Sequence, residues 1–226
     1  MKPHLIWDWN GTLLDDRTLF VESLLGLLAE EGVVDLTPET VTARFATPLQ
    51  ACVENLLRRP VPPDRWPSMD ARFHARYNAG RARAPLVRSA RTALDRGRRL
   101  AAGQSLVSHW PHTEVVQAVA YHHLEDLFDE VRGSRSAEAP KSVELTALMT
   151  ERHLSPDETV LIGDSVNDID SAREVGIRMV LVQEASLAPI DEIHRGSAGV
   201  TVASSAADAV EIACAVVDHH GRARGL

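Results

Sequence analysis

The amino-acid sequence predicts an α/β protein with a doubly wound parallel-sheet core and an inserted helical domain, on three observations. The apolar run His4-Leu5-Ile6-Trp7 ends abruptly at Asp8, and a glycine turn at Gly11 follows. A buried strand presents a charged side chain in this way at its carboxyl end, where ligands bind in open α/β sheets. From Pro85 onward, short apolar runs alternate with segments of helical period, the pattern of a parallel sheet with right-handed crossovers. Between Asp15 and about Ala84, no segment reads as a strand. The domains expected are therefore 1–14 with 85–226 as the core, and 15–84 as a helical insertion, small for a domain but adequate for a lid.

Each element has its own warrant. After the first strand, Arg17 to Glu31 carries Leu19, Phe20, Leu24, Leu27 and Leu28 at helical spacing, with Asp16 as N-cap and Gly32 as stop. Thr37-Pro38 opens a second helix, threonine capping and proline at the first helical position. Pro48 begins a third through Leu57. Pro60, Pro62, Pro63 and Pro67 mark a loop, and Asp70–Asn78 reads as a fourth helix. In the core, a helix over Val87–Arg98 precedes the strand Gln104–Val107 and the helix Pro111–Tyr121. A short strand near Phe128–Val131 leads to a helix from Lys141. Thr159–Ile162, Met179–Val182 and Val200–Val202 are strands; Asn167–Val175 and Ala206–Val217 are helices. The polar tail His219–Leu226 is expected to fray.

Composition narrows the function classes. The 226 residues are 44% hydrophobic and 25% charged, ordinary for a globular protein, with a net charge of −8. Basic residues are scattered through helices, so no nucleic-acid surface is expected. Cys52 and Cys214 are far apart and read as buried thiols, neither a zinc site nor a disulfide. With no leader-like start and no apolar run near the roughly 20 residues of a membrane span, a cytoplasmic protein without a membrane partner is expected. The paired histidines His122-His123 and His219-His220 are read as surface residues. Lysine occurs only at Lys2 and Lys141.

Four motifs then fall in order along the core. Asp8-x-Asn10-Gly11-Thr12 resembles the nucleophile motif of the haloacid dehalogenase-like (HAD) superfamily, Asp-x-Asp-Gly-Thr, with Asn10 in place of the second aspartate. Ser105-Leu106-Val107-Ser108 resembles the second motif, Lys141 the third, and Gly163-Asp164-Ser165-Val166-Asn167-Asp168 the acidic fourth. The resemblance covers the whole core and implies a Rossmann-like fold. The insertion, lying between the first and second motifs, resembles the C1 cap of the phosphoglycolate phosphatase-like group.

The chemistry of such a set can be argued from charge. Asp8, Asp164 and Asp168 would repel a phosphate dianion, since two like charges about 4 Å apart cost several kcal/mol at an effective dielectric of ~20. A divalent cation answers this, and oxygen-only ligands suit Mg²⁺. The resemblance implies Asp8, the backbone carbonyl of Asn10 and Asp164 as its ligands; Asp168 reads either as a cap of the Asn167 helix or as a support for the metal or Lys141. It implies Lys141, Ser108, Gly11 and Thr12 around the phosphoryl group, Thr12 also holding the residue-10 side chain; His109, next to Ser108, is a further candidate contact there, with a structural strand-end histidine as its plainer reading. Asp8 would attack phosphorus to give an aspartyl-phosphate.

Asn10 departs from the family pattern at the position that protonates the leaving oxygen. An amide cannot do this, and losing such help costs ~10²–10⁴ in rate. Three readings stay open: another group acts, with His109 and Asp15 nearest; the leaving group departs unprotonated, as aryl or acyl phosphates do; or the protein mainly binds a phosphorylated ligand. The insertion has no lysine for the Schiff base of phosphonate-cleaving relatives, the Gly163-Asp164-Ser165 loop argues against dehalogenases, and Asn10 argues against phosphomutases. Arg44 and Thr47 are the candidates for recognising the leaving group, with a solvated arginine and a helix cap as the plainer reading. The expectation is an Mg²⁺-dependent phosphomonoesterase of a small organic phosphate, a monomer or weak homodimer. Its rival is a catalytically weak phosphoryl-ligand binding or regulatory protein.

Overall fold

The structure, a computed structural model, describes residues 1–46, 48–81, 83–136, 139–187 and 196–223, with side chains to 218. Its chain divides into two compact units, Met1–Asp15 with Pro85–Leu226, and Asp16–Ala84.

The first unit is built on six strands: β1 (His4–Trp7), β2 (Gly103–Pro111), β3 (Glu130–Ser134), β4 (Thr159–Gly163), β5 (Arg178–Val182) and β6 (Val200–Ala203). They form one sheet in the order β3-β2-β1-β4-β5-β6, every pairing parallel. Chain order reverses across β1, so β1 and β4 lie side by side although 150-odd positions apart, Ile6 opposite Leu161 and Trp7 opposite Ile162. Every residue of β1 and β4 is buried, which a strand covered on both faces requires. On one face, Ile6, Val107, Leu161, Met179 and Leu181 pack with Leu145, Leu148, Ile169 and Ala172. At the rear of β2, Gln104 is buried and fully used: its amide donates to Leu94 O (3.0 Å) and Leu127 O (2.7 Å), and its carbonyl accepts from Trp7 Nε1 (3.2 Å). Pairing of this kind makes a buried amide tolerable.

The second unit holds α1 (Arg17–Glu30), α2 (Pro38–Ala43), α3 (Leu49–Leu57) and α4 (Trp66–Arg81). Phe20 meets Phe45, Phe73 and Tyr77 edge-on, at ring centroid separations of 5.6, 5.1 and 6.5 Å. Arg72 and Arg76 of α4 pair with Glu30 and Glu31 at the end of α1. In the first unit the helices are α5 (Ala90–Leu100), α6 (His112–Tyr121), α7 (Lys141–Glu151), α8 (Val166–Val175) and α9 (Ala206–Ala223). The chain leaves and re-enters this unit at adjacent points, because Asp15 N–H donates to Pro85 O (2.7 Å), Val87 N–H donates to Leu13 O (2.9 Å), and Leu14 bridges Leu86.

Several boundaries differ from the sequence reading. Helix α4 starts at Trp66 rather than Asp70, since Pro67 sits in the first turn, where a missing N–H costs nothing. Helix α5 starts at Ala90 rather than Val87, whose N–H is engaged with Leu13. Strand β2 runs on to Pro111 through a register shift against β3 after Ser108. Helix α9 continues through Ala223, into the stretch expected to fray. Asp16 does not cap α1 with its side chain; its carboxylate accepts from the Tyr77 hydroxyl. His122 is half-buried against Trp9, with ring centroids 6.0 Å apart. The His219-His220 side chains lie outside the described ones, and Cys214 is only half-buried.

Candidate active site

The candidate groups meet at the carboxyl ends of β1 and β4. Asp8 extends β1 by one residue, its N–H donating to Ile162 O (2.8 Å). The chain then turns sharply: Leu13 and Leu14 N–H both return to Trp9 O (2.9 and 2.8 Å), and Gly11 N–H bonds Leu14 O (2.9 Å). Gly11 takes a φ of +70°, and a Cβ there would fall 2.3 Å from an Asp164 carboxylate oxygen, so only glycine suits the position. Asp164 follows β4, where Thr12 Oγ1 donates to its Oδ1 (3.3 Å). The Thr12 hydroxyl thus ties the turn after β1 to the Asp164 carboxylate.

Helix α8 begins with a reciprocal cap. Ser165 Oγ accepts from Asp168 N–H (3.2 Å), while Asp168 Oδ2 accepts from Ser165 N–H (3.1 Å) and Oγ–H (2.5 Å). This fixes one carboxylate oxygen of Asp168 and leaves Oδ1 for Lys141. Lys141 opens α7, an end where the helix dipole disfavours a cation. Its ammonium nevertheless stays, 4% exposed, because it donates to both Asp8 Oδ1 and Asp168 Oδ1.

Burial and charge set the protonation of this cluster. Burial pushes the Asp8 carboxyl up to about 7, against the pull of Lys141 and with that of Asp168. For Lys141, burial acts downward, but Asp168 and Asp8 outweigh it and hold the ammonium well above the usual lysine range. Burial would raise Asp168, yet the charge and hydrogen bond of Lys141 and the Ser165 cap keep it low. Carboxylate oxygens of Asp8, Asp164 and Asp168 lie within 4.8 Å of one another. Fully ionised, three carboxylates against one ammonium leave two negative charges uncompensated. An all-oxygen set with that excess fits a hard divalent cation such as Mg²⁺.

The remaining candidates are placed as follows. Ser108, buried in β2 just before its register shift against β3, accepts from Trp110 N–H (3.1 Å) and keeps its own hydroxyl proton for another acceptor. Asn10 is half-buried in the turn and bridges Leu14. His109 Nε2 lies 2.5 Å from Asn167 Nδ2, on the exposed first turn of α8. Burial and then the Lys141 charge push its ring below the ordinary histidine range. Asp15 sits at the crossing into the second unit. Arg44 caps the end of α2 in that unit, its N–H bonding Thr40 O and Val41 O; Thr47 lies outside the described residues. Asn167 was quoted in the fourth motif without a role. Its pairing with a residue 58 positions away leaves no trace in spacing.

The fold and this cluster place the chain among the open parallel α/β proteins that act at strand carboxyl ends. Within that class it belongs to the haloacid dehalogenase-like hydrolase family, whose model matches residues 5–182. It is 26% identical over 200 residues to a phosphoglycolate phosphatase of Cereibacter sphaeroides, covering 86% of this chain and 92% of the other. A haloacid dehalogenase-like family hydrolase from Streptococcus pneumoniae superposes with a TM-score of 0.73 at 18% identity, over 93% of this chain and 98% of that one. CbbY from Rhodobacter sphaeroides, solved with phosphate, gives 0.62 at 19% identity, over 92% and 96%.

Proposed function

We propose that the protein is an Mg²⁺-dependent phosphatase that hydrolyses a small organic phosphate monoester through an aspartyl-phosphate on Asp8. The observation that carries this is the buried Lys141 ammonium shared by Asp8 and Asp168 beside Asp164. In this reading Asp8, the Asn10 carbonyl and Asp164 hold the ion, which when bound offsets the carboxylates and polarises a phosphoryl oxygen. Lys141 opposes the burial that raises the Asp8 carboxyl and so favours the carboxylate needed for attack, and offers its charge to the phosphoryl oxygens as they gain it in the transition state. Asp168 holds Lys141 in place, itself fixed by the Ser165 cap. Ser108 donates its free hydroxyl proton to the phosphoryl group, with the N–H groups around Gly11 and Thr12 beside it. The second unit serves as a cap selecting the organic part of the substrate, with Arg44 and Thr47 the first residues to vary.

The names of the curated relatives put 2-phosphoglycolate at the head of a substrate panel, beside sugar phosphates and 4-nitrophenyl phosphate. Phosphate release should require Mg²⁺ and stop with EDTA, and Asp8→Asn should lower turnover by at least about 10³-fold with the thermal midpoint retained. Wild-type turnover in that variant would remove Asp8 as nucleophile. Asn10 favours one second reading, a protein that binds phosphorylated ligands and hardly turns them over; phosphate binding without release from any ester would select it.

A further inference from the structure

Cleavage of an alkyl phosphate leaves an oxygen that needs a proton, and the Asn10 amide has none to give. The neighbouring acids are committed. Lys141 is bound by two carboxylates, Asp168 by Lys141 and Ser165, and Asp164 accepts from Thr12. His109 stands apart from that cluster. It follows Ser108 directly in β2, is exposed, and lies within range of the charges of Lys141 on α7 and Asp168 on α8.

Its side-chain partner Asn167 is suited to a group that changes charge. Asn167 faces Nε2 with its carboxamide. A carboxamide can donate through Nδ2 to a neutral ring or, turned over, accept through Oδ1 from an imidazolium. The ring can thus be held through Nε2 in either state, with Nδ1 as its second nitrogen.

Resting on the phosphatase reading above, we propose that His109 supplies the proton that Asn10 cannot, with Asn167 as its positioning residue. As an Asp8 oxygen bonds to phosphorus and the bond to the leaving oxygen breaks, that oxygen takes the Nδ1 proton of the imidazolium. When water then attacks the aspartyl-phosphate and the bond between phosphorus and the Asp8 oxygen breaks, the water proton returns to Nδ1. Ester and water become alcohol and phosphate, and the ring ends as it began. Partial burial and then Lys141 push the free ring below the ordinary histidine range, with Asp168 and the Asn167 contact opposing; the arriving phosphate dianion favours the imidazolium.

The test compares kcat/KM for an alkyl phosphate with that for 4-nitrophenyl phosphate, whose leaving group departs unprotonated. His109→Gln should lower the alkyl value by about 10²-fold or more and the aryl value by no more than about threefold. It should also abolish the fall in the alkyl value with rising pH, and Asn167→Ala should give a smaller loss of the same kind. In an Asn10→Asp background, where the introduced carboxyl can act instead, His109→Gln should cost little on either substrate. Equal losses on both substrates, no loss on either, or an undiminished loss in the Asn10→Asp background would overturn the assignment while leaving the phosphatase standing. Wild-type protein inert towards both esters would overturn both.

Discussion

Single side chains here hold their charge state by where the fold puts them. His4 begins β1 at the end opposite Asp8, 6% exposed, with Nε2 3.0 Å from Ser105 Oγ. Burial lowers its pKa to about 4, Asp129 opposing and Arg152 assisting. The unfolded chain, with histidine near 6.5, therefore takes up a proton first, so stability is full above that value and falls as pH drops toward 4. From about pH 7.5 to about pH 5, this histidine should remove on the order of 2 kcal/mol. Urea midpoints of wild type and His4→Gln should converge over that range; parallel curves would show that the ring is as easily protonated folded as unfolded. The same reasoning separates what was legible at this scale. Asp8 and Asp164 could be found because each follows an apolar run with a glycine close by, Gly11 three residues after Asp8 and Gly163 directly before Asp164. Asp168 could be read as a cap, but its second contact, with Lys141, depends on a helix that starts 27 positions earlier.

Helices and strands were legible wherever period and punctuation agreed, as in β1, α2 and α8. They were misjudged where a neighbour decides the boundary: Pro67 looked like a breaker but occupies a first turn, and Val87 looked helical but is held by Leu13. One junction had no sequence signal at all. The half-buried Glu184, just past β5, accepts from Ser89 N–H (3.1 Å) and the Ser89 hydroxyl at the start of α5, and from Ala206 N–H (3.2 Å) at the start of α9. Ser89 Oγ accepts in turn from Ala207 N–H (3.3 Å). One carboxylate thus serves two helix N-termini, where unsatisfied N–H groups and helix dipoles both favour an anion. Glu184→Ala should cost about 1–3 kcal/mol in chemical denaturation, and Glu184→Gln less, because a carbonyl oxygen remains to accept. A loss below about 0.5 kcal/mol for the alanine variant would mean that water caps both helices equally well.

For the whole molecule, the division into two units was readable from the absence of strands between Asp15 and Ala84, whereas the strand order was not, since periodicity says nothing about which strand lies beside which. The insertion leaves the sheet unit between residues that are hydrogen-bonded to each other, Asp15 to Pro85, with Leu14 bridging Leu86. A chain lacking residues 16–84, joined by a short glycine-serine linker, should therefore still unfold cooperatively, with the circular dichroism of a mixed α/β protein. A molten, dye-binding product would show that the helical unit is needed to complete the sheet unit. No described helix is long and apolar enough to cross a membrane. The paired exit and entry also bear on how such a chain can change over time. Joining the two ends of an excursion costs entropy that grows only with the logarithm of its length, about 0.6 kcal/mol per doubling. The doorway at Asp15 and Pro85 is thus a point where whole blocks of sequence can be lengthened, shortened or exchanged at small thermodynamic cost. Selection for new substrates can work on the excursion while the strand register on either side of it stays fixed.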